Sequence, residues 1–112
     1  MLIISIILFA IAAVFGLMNL TAILKSTSTN KGVVYTHGVF AAVGLVLLIV
    51  YALGADAKSV STSITLFVIA ALGGFLLFGR DLMKKAGPKW LAVVHGLIAV
   101  ASFIILLTVA FG

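Results

Sequence analysis

Four uninterrupted apolar stretches, at about residues 2–24, 33–54, 60–79 and 90–111, each approach the roughly 20 residues that an α-helix needs to cross a bilayer. Only three short, mostly polar connections remain in a chain of 112 residues, so there is no room for a substantial domain outside these stretches. The chain is 65% hydrophobic and 8% charged, and a water-soluble domain of that composition would aggregate. Because backbone amides in hydrocarbon must be satisfied locally, the expected fold is an all-α integral membrane four-helix bundle, one transmembrane domain over residues 1–112. The first stretch has no basic start and no small-residue cleavage site, which separates it from a signal peptide.

The net charge of +5 sits almost wholly in two connections. Lys25 and Lys31 flank the first, and Arg80, Lys84, Lys85 and Lys89 lie in the third beside Asp81. Basic residues so placed set orientation, which makes loops 25–32 and 80–89 cytoplasmic and both chain ends external, in a setting expected to be a bacterial inner membrane. The second connection, with Asp56 and Lys58, falls on the outer side. A nucleic-acid partner is not implied. The chain has no cysteine, so disulfides, iron–sulfur clusters, thiolate metal sites and c-type haem attachment are excluded.

Sliding the chain by 58 residues aligns Phe9-Ala-Ile-Ala-Ala-Val-Phe-Gly16 with Phe67-Val-Ile-Ala-Ala-Leu-Gly-Gly74, and His37-Gly38-x-x-Ala41 with His95-Gly96-x-x-Ala99. Lys31 meets Lys89, and 16 of 54 aligned pairs are identical, against roughly a tenth expected from composition. The reading is a duplication of one helical hairpin, repeat 1 over residues 1–54 and repeat 2 over 59–112. Each copy crosses the membrane twice, so the copies are parallel and are related by a pseudo-two-fold axis along the membrane normal. That axis makes His37 and His95 a pair at equal depth. The steps Ala12-x-x-x-Gly16 and Ala70-x-x-x-Gly74 have the spacing of close helix approach and are assigned to helix packing.

Each histidine heads a stripe of small residues, Ala41 and Gly44 after His37, Ala99 and Ser102 after His95, with Gly38 and Gly96 beside them. Such stripes leave a slot for something flat. Each histidine also follows a loop lysine by six residues, about 9 Å along a helix, which places the pair inside the cytoplasmic leaflet. An intramembrane imidazole is expensive and calls for a function. The expectation is one noncovalent haem b per chain, held between the second and fourth helices with His37 and His95 as iron ligands and Lys31 and Lys89 as first counter-charges to its propionates. With both iron faces occupied the natural chemistry is one-electron transfer, from a redox partner protein or a quinol.

Other readings attach to the same residues. The histidines can instead hydrogen-bond across helices to Thr36, Tyr35, Asn19 or a backbone carbonyl and tighten a cofactor-free structural or assembly subunit. A haem carrier or sensor would use the same ligands. A copper or zinc site lacks a third protein ligand. Asn19, near the depth of the histidines, has Leu77 as its counterpart and serves as a hydrogen-bonding or helix-contact residue rather than a ligand. Ligation across a homodimer satisfies the same rules.

On His37-Gly38 and His95-Gly96 the whole chain resembles the four-helix membrane cytochromes of the b type, in which histidines on transmembrane helices grip haem inside a bundle. The resemblance implies bis-histidine ligation and electron transport, with one haem where two histidines are present. The small multidrug-resistance transporters are similar in length and helix number, but their coupling depends on a membrane-embedded glutamate, and this sequence contains no glutamate.

Overall fold

The computed structural model describes residues 1–54, 57–85 and 88–112. Asp56, invoked above for the outer connection, and residues 86 and 87 of the third connection lie outside the described residues. Four helices follow one another, α1 (Leu2–Leu24), α2 (Lys31–Gly54), α3 (Ala57–Leu82) and α4 (Lys89–Phe111). All four are long and apolar enough to span a membrane. Three of them run past the apolar stretches that announce them, because their ends are set by backbone caps and not by hydropathy.

The caps at the basic end are local chemistry. α1 closes with Ser26 in the left-handed region, at φ 56°, and the N–H groups of Ser26 and Thr27 donate to the carbonyls of Ile23 and Ala22. α3 closes the same way 58 residues later: Lys84 has φ 57°, and Lys84 and Lys85 donate to Asp81 and Arg80. Both are Schellman closures, which satisfy carbonyls that a helix end leaves open. At the start of α2, Asn30 accepts from the Val33 N–H at 3.2 Å, a side-chain N-cap.

The helices form an elongated bundle of 42 × 22 × 20 Å. Each packs on its neighbours in sequence, α1 closes the ring against α4, and the pairs α1/α3 and α2/α4 stand diagonally opposed. Residues 25–30 and the described residues 83–85 and 88 share one end, the basic end, where Thr29 and Lys31 reach Asp81. The chain termini share the other.

Side-chain size is distributed in reverse of a water-soluble bundle. Val14, Leu53, Leu76 and Phe111 are exposed, whereas Ser5, Ala12, Ser63, Ala70, Ala92 and Ser102 are buried between helices. Small inward residues let backbones approach closely where solvent supplies no hydrophobic drive. The exception lies toward the terminal end. There Phe9 and Phe67, from the diagonal helices α1 and α3, stack at 4.0 Å with planes 7° apart, over a core of Ile6, Leu48, Val60 and Leu106. Such a ring pair contributes about 0.5–1.5 kcal/mol beyond its burial. Beyond it, toward the basic end, the centre of the bundle is open.

Candidate functional site

The opening is a cavity of about 1370 Å³ that runs from Phe9 and Phe67 to the rim formed by Ser26–Thr29, Lys84 and Lys85. His37 and His95 line it from α2 and α4, and their ring centres are 6.2 Å apart with planes at 83°.

Each imidazole is fixed from the neighbouring odd-numbered helix. Nδ1 of His37 lies 2.7 Å from the carbonyl oxygen of Ala12, and Nδ1 of His95 lies 2.7 Å from that of Ala70. A carbonyl accepts and does not donate, so these bonds place the proton on Nδ1 and, in a neutral ring, leave the lone pair on Nε2. Among the described residues no hydrogen bond engages either Nε2. The expectation that a backbone carbonyl would partner the histidines is met at one nitrogen of each ring, and the other nitrogen is left over.

The small-residue steps on α1 and α3 explain how a ring reaches a helix carbonyl at all. In an α-helix the carbonyl of residue i points at the N–H of residue i+4, so the side chain at i+4 stands beside it. With glycine at that position the carbonyl is open on one side, and its second lone pair can take the imidazole. A Cβ placed on Gly16 would lie 2.9 Å from Cε1 and 3.1 Å from Nδ1 of His37, and one on Gly74 would lie 3.0 Å from Cε1 of His95. The assignment of Ala12-x-x-x-Gly16 and Ala70-x-x-x-Gly74 to helix packing alone is therefore too narrow: each step is the seat of one imidazole. The signal was present in the sequence, since the interval from each alanine to its histidine is 25 residues in both halves.

The small stripes divide. Gly38, Ala41, Gly96 and Ala99 line the cavity with the histidines, and a Cβ on Gly38 would meet nothing within 4 Å. Gly44 and Ser102 do not line it. Gly44 is covered by the ring of Phe9, 3.3 Å from where its Cβ would be, and Ser102 is fully buried against Ser63. Seven residues along a helix carry the stripe about 10 Å, far enough to leave the cavity and enter the packed half.

The rim is asymmetric. Lys31 and Lys89 both line the cavity, but Lys31 Nζ is paired with Asp81 at 2.5 Å, and Thr29 donates to the other carboxylate oxygen at 2.6 Å. The position corresponding to Asp81 in the first half is Ile23, whose side chain has no carboxylate to offer Lys89. Asp81 lies beyond the apolar stretch of α3. Its burial raises the carboxyl's proton affinity, and the bonds from Lys31 and Thr29 with the Lys31 charge outweigh that and hold the pKa below its ordinary value. Lys84 and Lys85 add cationic charge to the same rim.

Asn19 also lines the cavity, one helical turn beyond Gly16 toward the rim, and its Oδ1 is buried with no hydrogen-bond partner. It bonds neither imidazole.

Among the described residues no third histidine, aspartate or glutamate joins the pair. Two imidazoles whose Nε2 atoms make no hydrogen bond can offer a metal two nitrogen donors, too few to complete its coordination without ligands from outside the protein. Compared with known protein families, characterised proteins and solved structures, the chain matches none.

Proposed function

We propose that the chain is an integral membrane protein that binds one haem b in the cavity, that His37 and His95 would hold its iron, and that it serves one-electron transfer. The observation that carries this reading is the paired geometry of the histidines: equal 2.7 Å bonds from Nδ1 to a carbonyl, and ring centres 6.2 Å apart. Two imidazoles that bind one metal ion from opposite sides at about 2.0 Å have ring centres roughly 6 to 6.5 Å apart. Metal-binding histidines commonly donate their other ring N–H to a carbonyl or carboxylate, which fixes the tautomer and makes the ligating nitrogen more basic. The donor set and the spacing therefore fit the group.

When bound, haem supplies reversible one-electron oxidation and reduction at iron. The residues of this chain do the rest. Ala12 and Ala70 orient the imidazoles, Gly16 and Gly74 make room for them, and Phe9 and Phe67 close the cavity toward the terminal end. The lysines of the rim supply counter-charge to propionates. Lys31 and Lys89 are both in place for this, but Lys31 already answers Asp81, so Lys89 with Lys84 and Lys85 carries the larger share. The exposed leucines and phenylalanines support insertion in a bilayer, and the clustering of cations at one end supports a cytoplasmic rim with both termini outside. The matched contacts at an offset of 58 residues support two parallel hairpins about a pseudo-two-fold axis along the membrane normal.

The deciding experiment is an absorbance spectrum of detergent-purified protein, expressed with ample haem, before and after dithionite. A Soret band with sharp reduced α and β bands is expected, together with loss of the low-spin spectrum in His37→Ala and in His95→Ala. A colourless protein, or single variants that keep the parent spectrum, would overturn the assignment. The cofactor-free reading draws on the same imidazole–carbonyl bonds, which join α1 to α2 and α3 to α4, and it predicts a colourless protein.

A further inference from the structure

Of the cations at the basic end, Lys84, Lys85 and Lys89 line the central cavity, whereas Arg80, the one arginine of the chain, lines a separate groove between the end of α3 and the start of α4. This groove has a volume of about 370 Å³. Arg80 and Pro88 stand at its head, and Phe75, Leu76 and Leu91 give it apolar walls. Phe75 and Leu76 are exposed, and they lie about 6 Å from the Gly79–Arg80 level, further into the apolar part of α3. A Cβ on Gly79 would meet nothing within 4 Å, so the groove is open where that side chain would stand. The duplication supplies a control. At the positions of Gly79 and Arg80 the α1–α2 hairpin has Thr21 and Ala22, which put a side chain in the opening and leave the head without a guanidinium. Lys25 replaces Met83 there, a point charge with no planar fork.

We propose that the groove binds the headgroup and first methylenes of an anionic phospholipid, with its phosphate on Arg80. The inference rests on the bilayer part of the function proposed above and is independent of haem. A guanidinium presents five N–H donors in a fork that matches two phosphate oxygens at once. The apolar walls lead away from that charge into the membrane-spanning part of the hairpin, as an acyl chain requires. The charge of the lipid follows from the surroundings. Lys84, Lys85 and Lys89 share this end, and the carboxylate of Asp81 is already taken by Lys31 and Thr29. A headgroup of net negative charge is attracted to such an end, whereas a zwitterionic one brings an ammonium that these cations repel.

The sole tryptophan, Trp90, directly precedes Leu91 on α4 and serves as the reporter. The full-length protein is reconstituted in phosphatidylcholine vesicles containing either brominated phosphatidylglycerol or brominated phosphatidylcholine, and each fluorescence is normalised to the same protein in unbrominated lipid. The mole fraction of brominated phosphatidylglycerol that half-quenches Trp90 should be roughly fivefold lower than that of brominated phosphatidylcholine. Arg80→Gln should abolish that difference. Gly79→Leu, which fills the groove and leaves every charge in place, should do the same. Equal half-quenching by the two lipids in the unmodified protein, or a preference that survives in either variant, would overturn the inference. Excess inorganic phosphate should leave the quenching unchanged, and recovery of fluorescence would mean a soluble-phosphate site in place of a lipid site. Flotation of the same vesicles separates the two readings: protein that floats without a lipid preference removes only the groove site, and protein that does not float removes the membrane reading with it.

Discussion

In the α3–α4 hairpin, Ser63 and Ser102 exchange hydrogen bonds between helices, each hydroxyl donating to the backbone carbonyl of the other, at 3.3 and 2.7 Å. In the α1–α2 hairpin the corresponding residues are Ser5 and Gly44; glycine has no hydroxyl to return the exchange, and the Ser5 hydroxyl is fully buried with no partner. Phe9 leans into the place that a side chain at Gly44 would take. At the rim the difference runs the same way, with Asp81 tying α3 to Thr29 and Lys31 while Ile23 ties nothing. Yet between these two levels the hairpins agree closely, carbonyl for carbonyl and glycine for glycine, around the imidazoles. Packing and rim tolerate divergence because many arrangements close a bundle. An imidazole that must present one nitrogen in one direction tolerates little.

The comparison can be broken most directly at the two glycines. Gly16→Ala and Gly74→Ala should each push an imidazole off its carbonyl, at a cost of about 1–3 kcal/mol in thermal stability and with loss or broadening of the low-spin spectrum. The two effects should be similar, since the Cβ would lie 2.9 and 3.0 Å from the respective Cε1 atoms. A spectrum unchanged in either variant would mean that the seat of the imidazole is not what holds the ligand.

Smaller effects, of opposite sign, are expected at the serines. Ser63→Ala or Ser102→Ala removes a made hydrogen bond and should destabilise by about 0.5–1.5 kcal/mol. Ser5→Ala removes an orphan hydroxyl from the same level of the other hairpin and should be neutral or stabilising by up to about 1 kcal/mol in thermal unfolding. Equal losses at Ser5 and Ser63 would erase the distinction drawn between the hairpins.

The smallest effect belongs to the rim. Lys31 is half-exposed, so Asp81→Asn should cost less than about 1 kcal/mol at low salt and almost nothing near 1 M salt. The sign with pH follows from the depressed pKa of Asp81. The pair contributes fully above the ordinary carboxyl value of 3.8, and that contribution is lost as pH falls through the lower folded-state value. Acid unfolding of the Asp81→Asn variant should therefore lack this component, measured as a shallower loss of melting temperature below that pH.

Much of the molecule was legible in the linear sequence. Runs of about 20 apolar residues admit one backbone solution in an apolar solvent, so the number of helices and their order follow from hydropathy. Equal spacing of His37 and His95 from their lysines places them at similar heights in any bundle with short connections. Other features belong to tertiary structure, because they depend on which faces meet across helices far apart in the chain. Hydropathy cannot report that the carbonyl of Ala12 is open beside Gly16, since the acceptor is backbone and every residue has one. The departure of Gly44 and Ser102 from the cavity depends on where Phe9 and Phe67 meet on opposite helices. The partner of Asp81 depends on which loop lies across the rim, and the orphan oxygen of Asn19 on the side chains that close over it without a donor. The sequence by itself determined four helices and two histidines at one level. Only their packing decided which nitrogen of each histidine remains available, because that choice is made by a hydrogen bond to a neighbouring helix.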